Sequence, residues 1–263
     1  MRLRTIPQAA LFLFAPLASP SGEPGGSRAG AVSAERLPWK TGVPHRFVWI
    51  EGSEKVGETV FEVRETGEGA DRAYEIRTRR TYDKSPTSMR SKSLTVVRAD
   101  GSPVRFEETL DVVAAKGFRA RLETTIAVAG GKARAKYVHN AREELATLND
   151  YDLPPDAFLS ASQAAEHWAV FASKIPREKR EATLRVFYPD FKQVYDVRFR
   201  AEGRETLRVG GTPTEAEVYT FSTPEGQLRG TLWLDAERRL VQIEFPPRSP
   251  DAKSLKVVLA PGD

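Results

Sequence analysis

Histidine and cysteine, which often supply metal ligands and nucleophiles, are scarce in this chain. It has three histidines, at His45, His139 and His167, and no cysteine. A metal site needs His, Asp or Glu ligands that converge, and no histidine here has a partner at i+4 or another recognisable ligand spacing. We therefore expect each histidine to be an ordinary surface or interface residue, and we predict no metal and no cofactor.

Sequence motifs for other catalytic chemistry are also missing. No Gly-x-Ser-x-Gly elbow occurs, and Gly67 and Gly69 lack the third glycine and the helix of a phosphate-binding loop. Glu107 and Glu108 are neighbours in strand-like sequence, so their side chains point to opposite faces and cannot share a proton. We predict no catalytic residue. A Ser-His-Asp site assembled from distant positions remains open, because sequence order does not reveal it.

Two charged residues break an otherwise apolar pattern. Glu108 falls in phase with Phe106 and Leu110, and Arg80 falls in phase with Tyr74. A charge on a core face has to be paired or has to face a cavity. One interpretation is an inward ion pair or a polar anchor in a ligand cleft. The other, which we favour, is a bulge or strand end that turns both residues outward.

Strand-like sequence fills most of the chain. Apolar and polar residues alternate with period two through residues 43–138 and again through residues 183–259, with turn dipeptides between the runs. Roughly a dozen strands are expected, and a sheet of that width is seldom flat. The sequence predicts a mainly β fold, a strongly curved antiparallel meander that forms a half-barrel or open barrel packed on one central α-helix.

The central helix is predicted at about residues 160–175, within the stretch 153–175. Pro176 ends it, and Ser160 with Gln163 fits a capping box. Its apolar stripe is Ala161, Ala164, Ala165, Trp168, Phe171 and Ala172. We expect this helix to close the core of the sheet. The alternative is a lid over the mouth of an open barrel.

The N-terminus predicts export. Residues 1–18 have the basic start and short apolar stretch of a signal peptide, residues 19–37 resemble a flexible linker, and residues 38–263 form a single β-rich domain. No later stretch approaches the about 18 apolar residues of a transmembrane helix. Without cysteine, disulfides, thiolate metal sites and a cysteine-linked lipid anchor are excluded. We expect a periplasmic or secreted protein.

Charge does not favour nucleic acid as a partner. Removal of Arg2 and Arg4 with the signal lowers the formal net charge from +4 to +2. This small excess is spread along the chain, whereas nucleic-acid-binding proteins concentrate basic residues on one face.

The layout resembles that of a group of bacterial proteins. Residues 226–235 (GQLRGTLWLD) and 239–245 (RLVQIEF) resemble the closing hairpin of bacterial envelope proteins of unknown function, and residues 194–211 also fit. The sheets of these proteins are similar to the curved antiparallel half-barrels of lipoprotein carriers. The resemblance implies a curved sheet wrapped around a helix and an apolar cleft. It implies no catalytic residue.

Three functions follow as hypotheses. The first is a non-catalytic exported envelope protein that binds a lipid or other apolar ligand on the concave face of the sheet. The second is a structural or assembly factor of the envelope that binds a protein partner, and the third is a hydrolase with a site assembled from separate strands. The predicted ligand-binding residues are Phe61, Tyr74, Arg80, Phe106, Glu108, Phe118, Leu122, Trp168 and Phe171. A space between sheet and helix that is filled by Trp168 and Phe171 favours the second hypothesis, and a hollow one favours the first.

Overall fold

In the computed structural model, the segments that alternate with period two are strands of a single, very wide sheet. The structure describes residues 36–68, 71–161, 164–189, 191–224, 226, 228–247, 249 and 252–261. The predicted signal peptide and all but the last two residues of the predicted linker lie outside this part of the chain.

Eight strands form the first meander of the described chain. Two 3-10 turns, Ala115–Gly117 and Glu143–Leu145, interrupt the series. The strands are β1 (Pro44–Glu51), β2 (Glu54–Thr66), β3 (Ala73–Lys84), β4 (Thr87–Arg98), β5 (Pro103–Val113), β6 (Arg119–Ala129), β7 (Lys132–His139) and β8 (Thr147–Asp152).

The second half of the chain contains the helix and seven more strands. These are β9 (Ala157–Leu159), then helix α1 (Ala165–Ala172), β10 (Glu181–Tyr188), β11 (Gln193–Val209), β12 (Thr212–Ser222), β13 (Arg229–Leu234), β14 (Leu240–Phe245) and β15 (Leu255–Leu259).

All fifteen strands belong to one sheet in the order β8-β7-β6-β5-β4-β3-β2-β1-β15-β14-β13-β12-β11-β10-β9. Pairing of β1 with β15 joins the two meanders, and only the β9–β10 pair is parallel. The two end strands are not hydrogen-bonded to each other, but side chains near them meet. The Tyr137 hydroxyl donates to the Pro189 carbonyl at 3.0 Å, and the Tyr151 and Phe187 ring centroids lie 5.1 Å apart. The predicted curved, mainly antiparallel sheet around one helix is confirmed.

The helix is shorter than predicted. Residues 157–159, just before the predicted helix, form β9, and the Ser160 N–H continues that pairing by donating to the Phe187 carbonyl at 3.0 Å. Helix α1 spans only Ala165–Ala172, so it is shorter than predicted at both ends. Ala164 occupies the N-cap without a side-chain hydrogen bond, and the predicted cap residue Gln163 lies outside the described residues.

The helix has no solvent-exposed face. All eight residues of α1 are buried, including Glu166 and His167. The sheet therefore wraps around the helix instead of receiving one face of it. Within the described part of the chain, no helix is long and apolar enough to cross a membrane.

Aromatic side chains fill the space between α1 and the second meander. Trp168 contacts Phe171 and Phe221 with ring centroids 4.6 and 4.5 Å away, and Phe171 packs 6.5 Å from Phe199. Trp168 is 3% exposed and Phe171 is fully buried. Large aromatics supply much of the favourable free energy of a core. This part of the interior is filled, and α1 closes the core here.

A buried arginine holds the end of the helical segment to the sheet. Arg238, in the β13–β14 turn, donates to the Ile175 carbonyl at 2.6 Å and to Glu217 at 2.7 Å. It also lies 5.4 Å from the centroid of the Tyr219 ring. The Ile175 carbonyl lies beyond the last turn of α1, where carbonyl groups lack partners within the helix. One side chain thus connects the helical segment, β12 and the β13–β14 turn.

We expect Arg238→Met to lower the free energy of unfolding by about 2–3 kcal/mol, because it leaves the buried Ile175 carbonyl without its donor and removes the ion pair with Glu217, which keeps only the Tyr219 hydroxyl and a distant Arg204 among the described residues. Chemical denaturation followed by tryptophan fluorescence measures this change. Arg177→Met is the matched control, since the exposed Arg177 also donates to a carbonyl of this turn, that of Ala236 at 3.1 Å. The control should change the free energy by no more than about 0.5 kcal/mol. Equal effects of the two substitutions would contradict the assignment.

Candidate functional site

The register of the first meander places polar side chains in a row under α1. Thr78 lies opposite Ser93, Ser93 opposite Glu108, and Glu108 opposite Thr124. Residues that are directly opposite point to the same face of a sheet, and this face is the concave one. We call these four residues, Thr78, Ser93, Glu108 and Thr124, the polar row; they lie on β3, β4, β5 and β6.

Arg80 and Glu108 form an ion pair on the concave face. Their side chains are 10% and 9% exposed, and the Arg80 Nε also donates to the Ser91 hydroxyl at 3.0 Å. The favoured expectation that a bulge or strand end turns both residues outward is wrong. No register shift occurs at either residue, since the one shift in these ladders lies at Val96 and Val97 of the β4–β5 pair. Strand alternation therefore keeps both side chains inward.

Helix α1 adds a buried carboxyl group to this face. Glu166 is fully buried, and neither carboxyl oxygen has a hydrogen-bond partner of good geometry among the described residues. Burial raises the pKa of Glu166, and the nearby Arg80 and Thr78 lower it only in part. The carboxyl group therefore keeps its proton to higher pH than an exposed glutamate does.

His167 is locked in one neutral form. Its Nδ1 accepts a hydrogen bond from the Ala161 backbone N–H at 2.8 Å, so Nε2 has the proton and donates to the Thr95 hydroxyl at 2.7 Å. Burial, and secondarily the charge of Arg80, lowers the pKa of His167 to about 3. Both nitrogens are already used, so the imidazole tethers α1 to β4 and does not serve as a base.

The expectation of an ordinary surface or interface histidine is therefore wrong for His167, which is 1% exposed. His139 is exposed. The His45 Nε2 donates one hydrogen bond to the Lys40 carbonyl, 2.9 Å away, and the ring packs 5.0 Å from the Trp39 ring. In the described residues, no cluster of three or more His, Asp or Glu side chains is arranged to hold a metal.

The nine predicted ligand-binding residues do not share one surface. Four lie in the main core, namely Phe61, Tyr74, Trp168 and Phe171, and Phe106 lies in a second cluster beside the helix. Arg80 and Glu108 form the ion pair, whereas Phe118 and Leu122 are only half-buried. The aromatic residues that the sequence suggested as a cleft are thus mostly packing residues.

Beyond the ion pair, the concave face is apolar and only half-buried. Leu110 lies opposite Leu122, and Val112 lies opposite both Met89 and Ala120. We call this surface the mouth: Tyr82, Met89, Leu110, Val112, Phe118, Ala120 and Leu122. Of these, only Tyr82 and Leu122 pack against a core cluster of the described chain.

Sequence reasoning missed most of the mouth. It selected large aromatic residues, and it passed over Tyr82, Met89 and Val112. The alternation of β5 already placed Val112 in phase with Phe106 and Leu110, so the signal was present. Alternation along a strand does not show how much of that strand the helix covers.

A second concavity lies on the other meander. It has a volume of about 900 Å³ and is open, and its lining includes Glu181, Arg198, Arg200, Arg229 and Glu244. Its charged side chains come from exposed or half-buried positions. The lining also includes Phe199 and Phe221, but these two rings pack against the aromatic residues of α1 in the core.

We expect Arg80→Met to lower the free energy of unfolding by about 3 kcal/mol, because Glu108 would remain buried without its partner. The double variant Arg80→Met/Glu108→Leu should recover most of that loss, since apolar pairs often replace buried ion pairs at little cost. Urea denaturation measures both. Arg77→Met, on the opposite face of β3 in an exposed pair with Glu75, should change stability by no more than about 0.5 kcal/mol. If the double variant is as unstable as Arg80→Met, the loss does not come from an unpaired Glu108, and the prediction is wrong.

The histidine tether predicts acid sensitivity. The folded-state pKa of His167 is about 3, below the ordinary 6.5, so the unfolded chain binds the extra proton first. This contribution to stability is complete above pH 6.5 and is lost as the pH falls towards 3, by about 3 kcal/mol between pH 6.5 and pH 4. Stability curves between pH 7 and 4 should be flatter for His167→Asn than for the wild type. His139→Asn is the exposed control, and its curve should follow that of the wild type.

Comparison with known proteins agrees with this architecture and names no activity. A family model described as a domain of unknown function (DUF6134) matches residues 177–249, which span β10 to β14. None of the curated proteins matches the chain.

Solved structures show a likeness in fold. A crystal structure of a beta-barrel-like protein of the domain of unknown function DUF1849 from Brucella abortus has a TM-score of 0.56 at 15% identity, over 89% of this chain and 99% of that one. A DUF1089 family protein from Pseudomonas aeruginosa has a TM-score of 0.38 at 12% identity, over 70% of this chain and 87% of that one. At these identities only the first supports a shared fold. The chain is thus similar to barrel-like proteins of unknown function.

Proposed function

We propose that this is a non-catalytic exported envelope protein that holds the apolar part of a lipid or similar amphiphile in the mouth. The observation behind the proposal is the row of inward, half-buried apolar side chains at Met89, Leu110, Val112 and Phe118. None of these four packs against a core cluster among the described residues. An apolar surface on the inside of a curved sheet can enclose a ligand on several sides.

The lengths of the elements explain why this surface exists. A helix of eight residues is about 12 Å long, whereas strands of twelve residues, such as β3 and β4, are about 40 Å long. The helix can therefore cover only part of the concave face. The remainder of the inward side chains on β3 to β6 has no helix to pack against.

The expected affinity is modest. Burial of each methylene contributes about 0.8 kcal/mol, so eight methylenes give about 6 kcal/mol before the costs of association are subtracted. Micromolar or weaker binding of a single acyl chain is consistent with that value. Export, with a periplasmic or secreted location, rests on the signal-like residues 1–18 and belongs to the same proposal.

We expect the wild-type protein to bind the neutral fluorescent probe 1-N-phenylnaphthylamine saturably, and Leu110→Glu to weaken that binding at least tenfold by placing a charge in the mouth. Fluorescence titration measures both affinities. Thr109→Glu is the matched control, because Thr109 neighbours Leu110 on β5 and points to the convex face. It should bind the probe as the wild type does. Equal losses in the two variants, or no saturable binding by the wild type, would refute binding in the mouth.

A structural or assembly role for the envelope is the second candidate. Two observations favour it. Trp168 and Phe171 fill the interior next to the second meander, and β8 is an end strand that pairs only with β7. Leu145 and Leu148, beside and within this strand, are 58% and 68% exposed. An end strand with exposed apolar residues can pair with another chain. If the wild type fails to bind the probe, this candidate replaces the first.

The hydrolase hypothesis receives no support from the site geometry. His167 uses both ring nitrogens for internal hydrogen bonds, and Glu166 is fully buried behind it. A general base has to reach the proton that it removes.

A further inference from the structure

We infer that the polar row selects an amphiphile with an uncharged, hydroxyl-bearing head group over one with an anionic or cationic head group. This inference rests on the proposed binding of an apolar chain in the mouth. It adds the chemical class of the head group and the residues that recognise it.

Charges next to the mouth are balanced within the protein. Arg80 and Glu108 neutralise each other in a direct ion pair, and Lys84 and Glu51, near Tyr82, form another. Behind Arg80 and Glu108, burial raises the pKa of Glu166, and His167 is neutral with both ring nitrogens hydrogen-bonded. A charged head group would lose its hydration without gaining an opposite charge, and such desolvation is costly.

The polar row can form hydrogen bonds with a ligand. The Ser93 hydroxyl is buried and has no hydrogen-bond partner among the described protein groups. The Thr78 hydroxyl is also buried and faces the Glu166 carboxyl, whose pKa it lowers. Thr78 and Ser93 lie directly opposite each other on β3 and β4. A hydroxyl group offers one donor and two acceptor positions, so this pair can both donate to and accept from a ligand hydroxyl.

The polar row lies directly next to the mouth. Ser91 and Leu110 are paired across β4 and β5, and the neighbouring inward pair along the same strands is Ser93 and Glu108. Two residues along a strand span about 7 Å, so the polar row begins one side-chain layer below the apolar mouth. Ser93 itself is a half-buried residue. An amphiphile whose chain lies on Leu110 and Val112 would therefore place its head group at the polar row.

Displacement of bound 1-N-phenylnaphthylamine tests this inference with three amphiphiles that share a decyl-length chain. These are 1-decanoylglycerol, decanoate and decyltrimethylammonium, each used below its critical micelle concentration at pH 7. We expect 1-decanoylglycerol to displace the probe at a concentration at least tenfold lower than either charged amphiphile. Equal displacement by all three, or a preference for a charged one, would overturn the inference. The proposed function would then still stand on probe binding and its loss in Leu110→Glu.

Variants separate hydrogen bonding from packing. Thr78→Val and Ser93→Ala should each weaken 1-decanoylglycerol binding about three- to tenfold and leave the probe affinity unchanged. Ser93→Thr restores a hydroxyl and should recover most of the affinity. Ser88→Ala, on the convex face of β4, is the control and should have no effect. If Thr78→Val and Ser93→Ala both bind 1-decanoylglycerol as the wild type does, the polar row is not the recognition site. If the wild type does not bind the probe at all, the proposed function itself fails.

Discussion

Burial of α1 on every side is the constraint on which the rest of the structure depends. A helix at the surface can leave its polar residues in water, but this one is enclosed by a sheet that bends around it. The enclosed backbone and side chains must find partners on the sheet. Arg238 bonds the carbonyl of Ile175 at one end, and His167 bonds Thr95 near the other. These contacts hold two distant parts of the sheet at fixed positions around the helix.

The two meanders meet this helix in different ways. The second presents aromatic residues, and Phe199 and Phe221 pack on Trp168 and Phe171. The first presents hydroxyl groups and an ion pair, which surround Glu166 and His167. One side of the helix therefore lies in a dry aromatic core. The other lies in a polar layer whose charges compensate each other within the protein.

A short helix inside long strands leaves part of the concave face without a partner. The polar layer forms the border between the covered and the uncovered part of β3 to β6. Apolar side chains continue past that border because strand alternation continues to the strand ends. Such an arrangement gives one apolar surface and one polar layer in close succession, which matches the two parts of an amphiphile.

Much of the architecture followed from local patterns. Alternation along each strand is a property of a few residues, so it determined the β class, the antiparallel meander and the position of the helix between two halves. The alternation also places Arg80 and Glu108 on the inward face of their strands. The expectation that a bulge turns them outward is wrong because a bulge depends on how two strands pair, and the sequence of one strand does not show that pairing.

By itself, the sequence determined which residues share a face. Only the tertiary structure decided which of those faces are covered. Burial of His167 and Glu166 depends on strands more than 50 residues away, at Thr95 and Arg80, so no local period could reveal it. The same holds for α1, since Ser160, the first residue of the predicted helix, extends the pairing of β9 with β10 instead. The stretch that the chain is built around was therefore recognisable from its sequence, but its length, its buried charges and the mouth beside it were set by long-range packing.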